Sequence, residues 1–167
     1  NAIDFATDVN ATASYVEGYG SGVAGNNIFY VGTSTGGTAM SIAAADAAAM
    51  DGATINVLAG NYTLTGELDI AKSLSLIGTG PATVITSNST GYGINVTADD
   101  VSLKLFTFNA PTTHNGTTYG IKVTPDTNVA SDRLLNFNID GVTINGGWRT
   151  GLDLNGVLGA TIQNVSV

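Results

Sequence analysis

The chain has 167 residues, 13 acids against five bases for a net charge of −8, and 11% charged residues in all. That length suits one domain with a sizeable core, and a hydrophobic content of 43% argues against disorder. The five bases, Lys72, Lys104, Lys122, Arg133 and Arg149, are scattered, which excludes the clustered cations that nucleic acid or an anionic membrane surface requires.

There is no cysteine, so disulfides, thiolate chemistry and Cys-based zinc sites are excluded. No run approaches the roughly 20 apolar residues of a membrane span, and no cofactor or metal is expected. With 22 glycines and 34 serines and threonines, the profile is that of an all-β protein with many turns. The chain begins with Asn1 rather than methionine, so a processed or trimmed sequence is expected.

Residues 1–37 read as an irregular N-terminal segment with one strand candidate, Asn27 to Val31, and with a short alternation, Ala2 to Ala6, that could pair with a neighbouring subunit. Residues 38–52 read as a capping helix: Thr38 or Ser41 can cap its start, its middle is alanine, and Gly52 follows its end. From residue 53 to 167, short apolar alternations are separated by glycine-bearing turns.

Two patterns recur there. The first is an apolar–polar–apolar triplet: Leu68-Asp69-Ile70, Ile94-Asn95-Val96, Ile121-Lys122-Val123 and Leu152-Asp153-Leu154, spaced 26, 27 and 31 residues apart. The last three follow Gly93, Gly120 and Gly151 directly. The second begins at Leu74-x-x-Ile77 and continues as Leu103-x-x-Phe106-x-Phe108, Ile139-x-x-Val142-x-Ile144 and Ile162-x-x-Val165-x-Val167. Its x-x step breaks the alternation where the chain would turn a corner. Two interleaved series of similar period predict coils that stack on themselves as a parallel β-helix of about four to five rungs. Leu74 is then expected beneath Leu103, and Ile94 beneath Ile121. A β-sandwich remains an alternative, because it too has short strands and many turns.

The stretch from Ser41 to Tyr62, an alanine-rich helix followed by Gly52-Ala53-Thr54-Ile55-Asn56-Val57 and Gly60-Asn61-Tyr62, resembles the N-terminal cap and first rung of right-handed parallel β-helix proteins of the pectin-lyase-like superfamily. Lys72 to Gly80, followed by Thr83-Val84-Ile85, is similar to that family's second rung. The resemblance implies an all-β fold, a right-handed parallel β-helix (solenoid) with a short N-terminal capping α-helix that plugs its top. It carries little about activity, because the superfamily spans lyases, hydrolases, esterases, adhesins and structural proteins. The motifs of its pectate lyases, polygalacturonases and pectin methylesterases are absent from this sequence, so the reading leans away from an enzyme, and no catalytic residue is assigned.

Asp99-Asp100 is an adjacent acid pair just before a strand and reads as turn chemistry. His114, the one histidine, lies in a polar loop. The middle residues of the triplets form an outward column, Asp69, Asn95, Lys122 and Asp153, with an expected Lys122–Asp153 contact. Trp148 and Arg149 are candidate carbohydrate contacts, a ring to stack on a sugar beside a guanidinium to bind hydroxyls. Asn10, Asn61, Asn88, Asn95, Asn115 and Asn164 head Asn-x-Ser/Thr glycosylation sequons.

Val167 falls inside the last repeat unit, so an open C-terminal edge is expected, covered by further chain or another subunit. Together these features predict a secreted or cell-surface structural protein, such as a filament, sheath, surface-layer or adhesin subunit, that forms a homo-oligomer or polymer through its β-helix edges. The alternative is a carbohydrate-binding module or a fragment of a polysaccharide-active enzyme, with polysaccharide as partner.

Overall fold

Where every second residue is apolar, an extended chain can bury one face and solvate the other, and that alternation sets the strands. The computed structural model of the protein describes residues 17–18, 28–32, 41–110, 118–126, 132–146 and 149–167. These residues are mostly β-strand in parallel sheets, with one short helix among them.

β1 (Glu17–Gly18) pairs antiparallel with β2 (Ile28–Val31), which pairs in parallel with the strand that follows the helix. The helix, α1, spans Ile42–Ala48, shorter than the expected 38–52. Ser41 caps it by accepting the Ala44 N–H at 3.1 Å. At its other end Ala49 is already extended, and the Lys72 ammonium donates to the carbonyls of Asp46 (2.6 Å), Ala47 (3.4 Å) and Ala49 (2.9 Å). A lysine on the last carbonyls satisfies groups that helix geometry leaves unpaired. Ile42 and Ala45 are buried, and α1 lies against β2 and the first strands that follow it.

From there the chain passes through three parallel sheets, A, B and C, in rotation. The first pass is β3 (Ala53–Val57), β4 (Gly60–Leu64) and β5 (Leu68–Ile70). The second is β6 (Leu74–Ile77), β7 (Thr83–Ser87) and β8 (Tyr92–Val96), and the third is β9 (Ser102–Lys104), β10 (Thr107–Asn109) and β11 (Tyr119–Val123). β12 (Leu134–Leu135) precedes the fourth pass, β13 (Asn138–Asp140), β14 (Thr143–Asn145) and β15 (Thr150–Leu154). β16 (Val157–Leu158) pairs with β12, and β17 (Thr161–Gln163) extends sheet A.

Inward residues stack in register. Leu68, Ile94, Ile121 and Leu152 form one ladder, and Ile70, Val96, Val123 and Leu154 form the next, as the triplets predict. In sheet A the ladder is Ile55, Leu76, Leu103 and Ile139. The expected pairing of Leu74 with Leu103 is therefore wrong by two residues. The cause is a longer corner between β6 and β7, together with a polar residue at the position that Phe106 fills one pass later. Thr83 sits there, fully buried, its hydroxyl donating to the carbonyls of Val57 and Leu58. Burying each large apolar side chain in these ladders contributes about 1.5–3 kcal/mol.

The x-x corner step has a backbone cause. Leu105, Gly141 and Asn164, each the second x of its unit, lie in the left-handed region with φ of 58°, 64° and 50°. Asp100 and Asn136 do the same at the corner entering sheet A, with φ of 56° and 57°. The turn reading of Asp99-Asp100 agrees with this: Asp99 Oδ1 accepts the Leu135 N–H at 2.7 Å, and Asp100 Oδ1 accepts from Asn136 at 2.9 Å.

The glycines before the triplets are there for space. A Cβ on Gly120 would lie 2.4 Å from the carbonyl oxygen of Gly151, and one on Gly93 would lie 2.8 Å from that of Gly120. On the last pass the core thins. Leu152, Leu154 and Val157 are only partly buried, and Leu158 and Ile162 are exposed.

Candidate functional site

Sheet C gathers aromatic, acidic, amide and basic side chains on its outer face. Two columns run along the stacking direction. Tyr92 and Tyr119 are register partners at the heads of β8 and β11, each directly before one of the close-packed glycines. Three residues further along the strands, Asp69, Asn95, Lys122 and Asp153 are successive register partners, as the triplet pattern predicts.

The tyrosine rings meet edge to face, with centroids 5.5 Å apart and planes at 71°, a favoured aromatic geometry. The Lys122 ammonium lies 5.8 Å from the Tyr92 ring centre and 5.3 Å from that of Tyr119. It also donates to Asp153 Oδ2 at 2.7 Å, forming the expected contact. The expected solvated column is drier than that, since the Lys122 side chain is 13% exposed. Arg149 also meets Tyr119, its guanidinium 5.4 Å from the ring centre, with Nη1 donating to the Tyr119 hydroxyl at 2.9 Å.

At the acidic end, Asn95 Nδ2 donates to Asp69 Oδ1 at 2.8 Å, and the Tyr92 N–H reaches Glu67 Oε2 at 3.4 Å. Partial burial pushes the Glu67 pKa up. The neighbouring Asp69 charge and a hydrogen bond between the two carboxyls add to this, while the Tyr92 N–H and the Asn95 amide pull it back. Asp46, buried on α1, is also raised, chiefly by burial; Lys72 opposes the shift and Asp69 reinforces it. An open cleft of about 500 Å³ lies beyond the C-terminal ends of β8 and β11, lined by Thr97, Pro125, Asp126, Asp132 and Arg133 among others. Among the described residues no cluster of three His, Asp or Glu could hold a metal ion, and no helix is long and apolar enough to cross a membrane.

Of the sequence-predicted candidates, Arg149 belongs to this face, with Tyr119 as its aromatic partner. Trp148, His114, Asn10 and Asn115 lie outside the described residues. Asn61 and Asn88 are exposed, whereas Asn95 is half-buried with its amide bonded to Asp69. Asn164 is exposed at a left-handed corner, its amide donating to Asp140 at 2.8 Å. Tyr92, Tyr119 and Glu67 are additions that the sequence reading missed. The signal for the tyrosines was the repeated Tyr-Gly heading two of the triplets.

No family model, curated protein or solved structure matches this chain.

Proposed function

We propose that the chain is a right-handed parallel β-helix of the pectin-lyase-like type, displayed outside the cell, and that the outer face of sheet C binds carbohydrate. The rotation of strands through three parallel sheets supports the architecture. Crossovers between parallel strands are almost always right-handed, which supports the hand. The six sequons and the acidic composition favour a secreted or cell-surface setting.

The observation that carries the binding reading is the Tyr92–Tyr119 pair flanked by Arg149. Aromatic rings present apolar faces to the C–H face of a sugar, and guanidinium N–H groups bind its hydroxyls or carboxylates. Binding is favoured over catalysis because Lys122 and Arg149 already hold partners, Asp153 and Tyr119. The test is a binding screen of uronate-rich and neutral polysaccharides, run in parallel on the Tyr92→Ala/Tyr119→Ala double variant. The expected result is a polysaccharide retained by the parent and lost by the variant. Silence across the panel overturns the reading.

A second reading, a filament, sheath, surface-layer or adhesin subunit that joins others, is favoured by the exposed apolar side chains of Leu105 and Leu135. Sedimentation decides it: concentration-dependent assembly supports it, and a monomer at high concentration removes it.

A further inference from the structure

We propose that Lys122 and Asn95 are the site of a spontaneous amide cross-link between neighbouring strands of sheet C. This goes beyond carbohydrate binding and does not depend on it.

The two residues are direct register partners on β8 and β11, and parallel neighbours lie about 4.8 Å apart, well within a lysine's reach. The column supplies the other groups that amide formation needs, in the order required. On one side of Lys122, Asp153 Oδ2 is 2.7 Å from the ammonium and can accept the proton the amine must lose. On the other side is Asn95, a neutral electrophile. Its Nδ2 is held by Asp69 at 2.8 Å, and its Oδ1 is buried with no partner among the described residues. Glu67 meets the Asn95 amide on its N–H side, and partial burial and the Asp69 charge push its pKa up, so its proton lies beside the nitrogen that must depart. The rings of Tyr92 and Tyr119 limit water around Lys122, whose side chain is 13% exposed. Asp153 is the closer neighbour, but an ionised carboxylate resists nucleophilic attack.

The step balances without an oxidant or any co-reactant. Asp153 takes one proton from the Lys122 ammonium, and the free amine attacks Asn95 Cγ. The C=O π bond opens and its electron pair goes to the oxygen. Glu67 protonates Nδ2, the C=O re-forms as the Cγ–Nδ2 bond breaks, and ammonia leaves. The extra proton on the new nitrogen passes to ammonia, and Asp153 gives up and Glu67 regains one proton through water. The products are a Lys–Asn amide and an ammonium ion. Because the reaction consumes Nδ2, a cross-linked Asn95 cannot carry the glycan that its sequon would allow.

The test is the intact mass of the purified, folded full chain, followed by peptide mapping. The expected mass is lower than the sequence mass by one ammonia, with a branched peptide joining Asn95 to Lys122. Lys122→Arg keeps a cation beside Asp153 yet cannot form the amide, so its mass should equal its sequence mass. Glu67→Gln should leave most of the chain uncross-linked while circular dichroism shows it folded. A folded parent protein at the full sequence mass overturns the proposal. So does loss of one water mapped to Lys122 and Asp153, or an unreacted Nδ2 bearing a glycan at Asn95.

Discussion

Sheets B and C are built on the same stack and carry opposite surfaces. Both bury continuous apolar ladders: Ile85, Phe108 and Ile144 in one, Ile94, Ile121 and Leu152 in the other. Outward, sheet B presents Asn61, Val84, Thr107 and Thr143 in one column and Thr63, Thr86, Asn109 and Asn145 in the next, all uncharged. Sheet C presents tyrosines, carboxylates, an amide and a lysine at the corresponding depth. Stacking constrains the inward positions and leaves the outward ones free, so chemistry can concentrate on one side of the molecule without disturbing the fold.

The comparison can be broken most severely from inside. Phe108→Ala opens a cavity between Ile85 and Ile144 and should cost about 3–5 kcal/mol in chemical denaturation. Thr107→Ala beside it, facing out, should change stability by no more than about 0.5 kcal/mol. Similar losses for both would end the distinction between inner and outer positions. Next in size is Gly120→Ala. Its Cβ would press on the carbonyl of Gly151, and overpacking of this kind costs about 1–3 kcal/mol. It should also weaken whatever the Tyr119 face binds, which a sheet B variant should not do.

The smallest effect is electrostatic and links Asp46 on α1 with the carboxyls at the start of sheet C. Asp46 and Glu67 both have pKa values raised in the folded protein, so the native state holds more protons than the unfolded chain just above the ordinary carboxyl range. Stability from these two groups is therefore present below the unfolded carboxyl pKa, near 4, and is lost as pH rises through the raised values. The Asp46→Asn/Glu67→Gln variant should show a smaller fall in melting temperature between about pH 4 and pH 7. An unchanged pH slope would show that the two carboxyls do not govern it.

What the sequence revealed divides along the same line. The triplets on sheet C were legible to the residue, because an apolar–polar–apolar repeat with a preceding glycine fixes both register and face. The corners were legible as breaks in alternation, although their left-handed backbone at Leu105, Asn136 and Asn164 was not. The register of sheet A's second pass was hidden. Leu74 and Leu76 are both apolar and two residues apart, so either fits an inward position, and Thr83 masks the inward site that would have decided between them. On the candidate site, the middle column was readable but the Tyr92–Tyr119 pair was not. Half-buried tyrosines at strand heads carry no periodic polarity signal of their own, and their edge-to-face meeting depends on strand register.

Lys72 has a consequence for the order of assembly. The lysine that closes the last carbonyls of α1 lies 26 residues after Asp46, beyond β3, β4 and β5. As the chain leaves the ribosome, the helix therefore emerges well before the group that completes it. Its final hydrogen bonds wait for a lysine that follows one strand of each parallel sheet, so protection of the helix's last carbonyls should report that β3, β4 and β5 are in place.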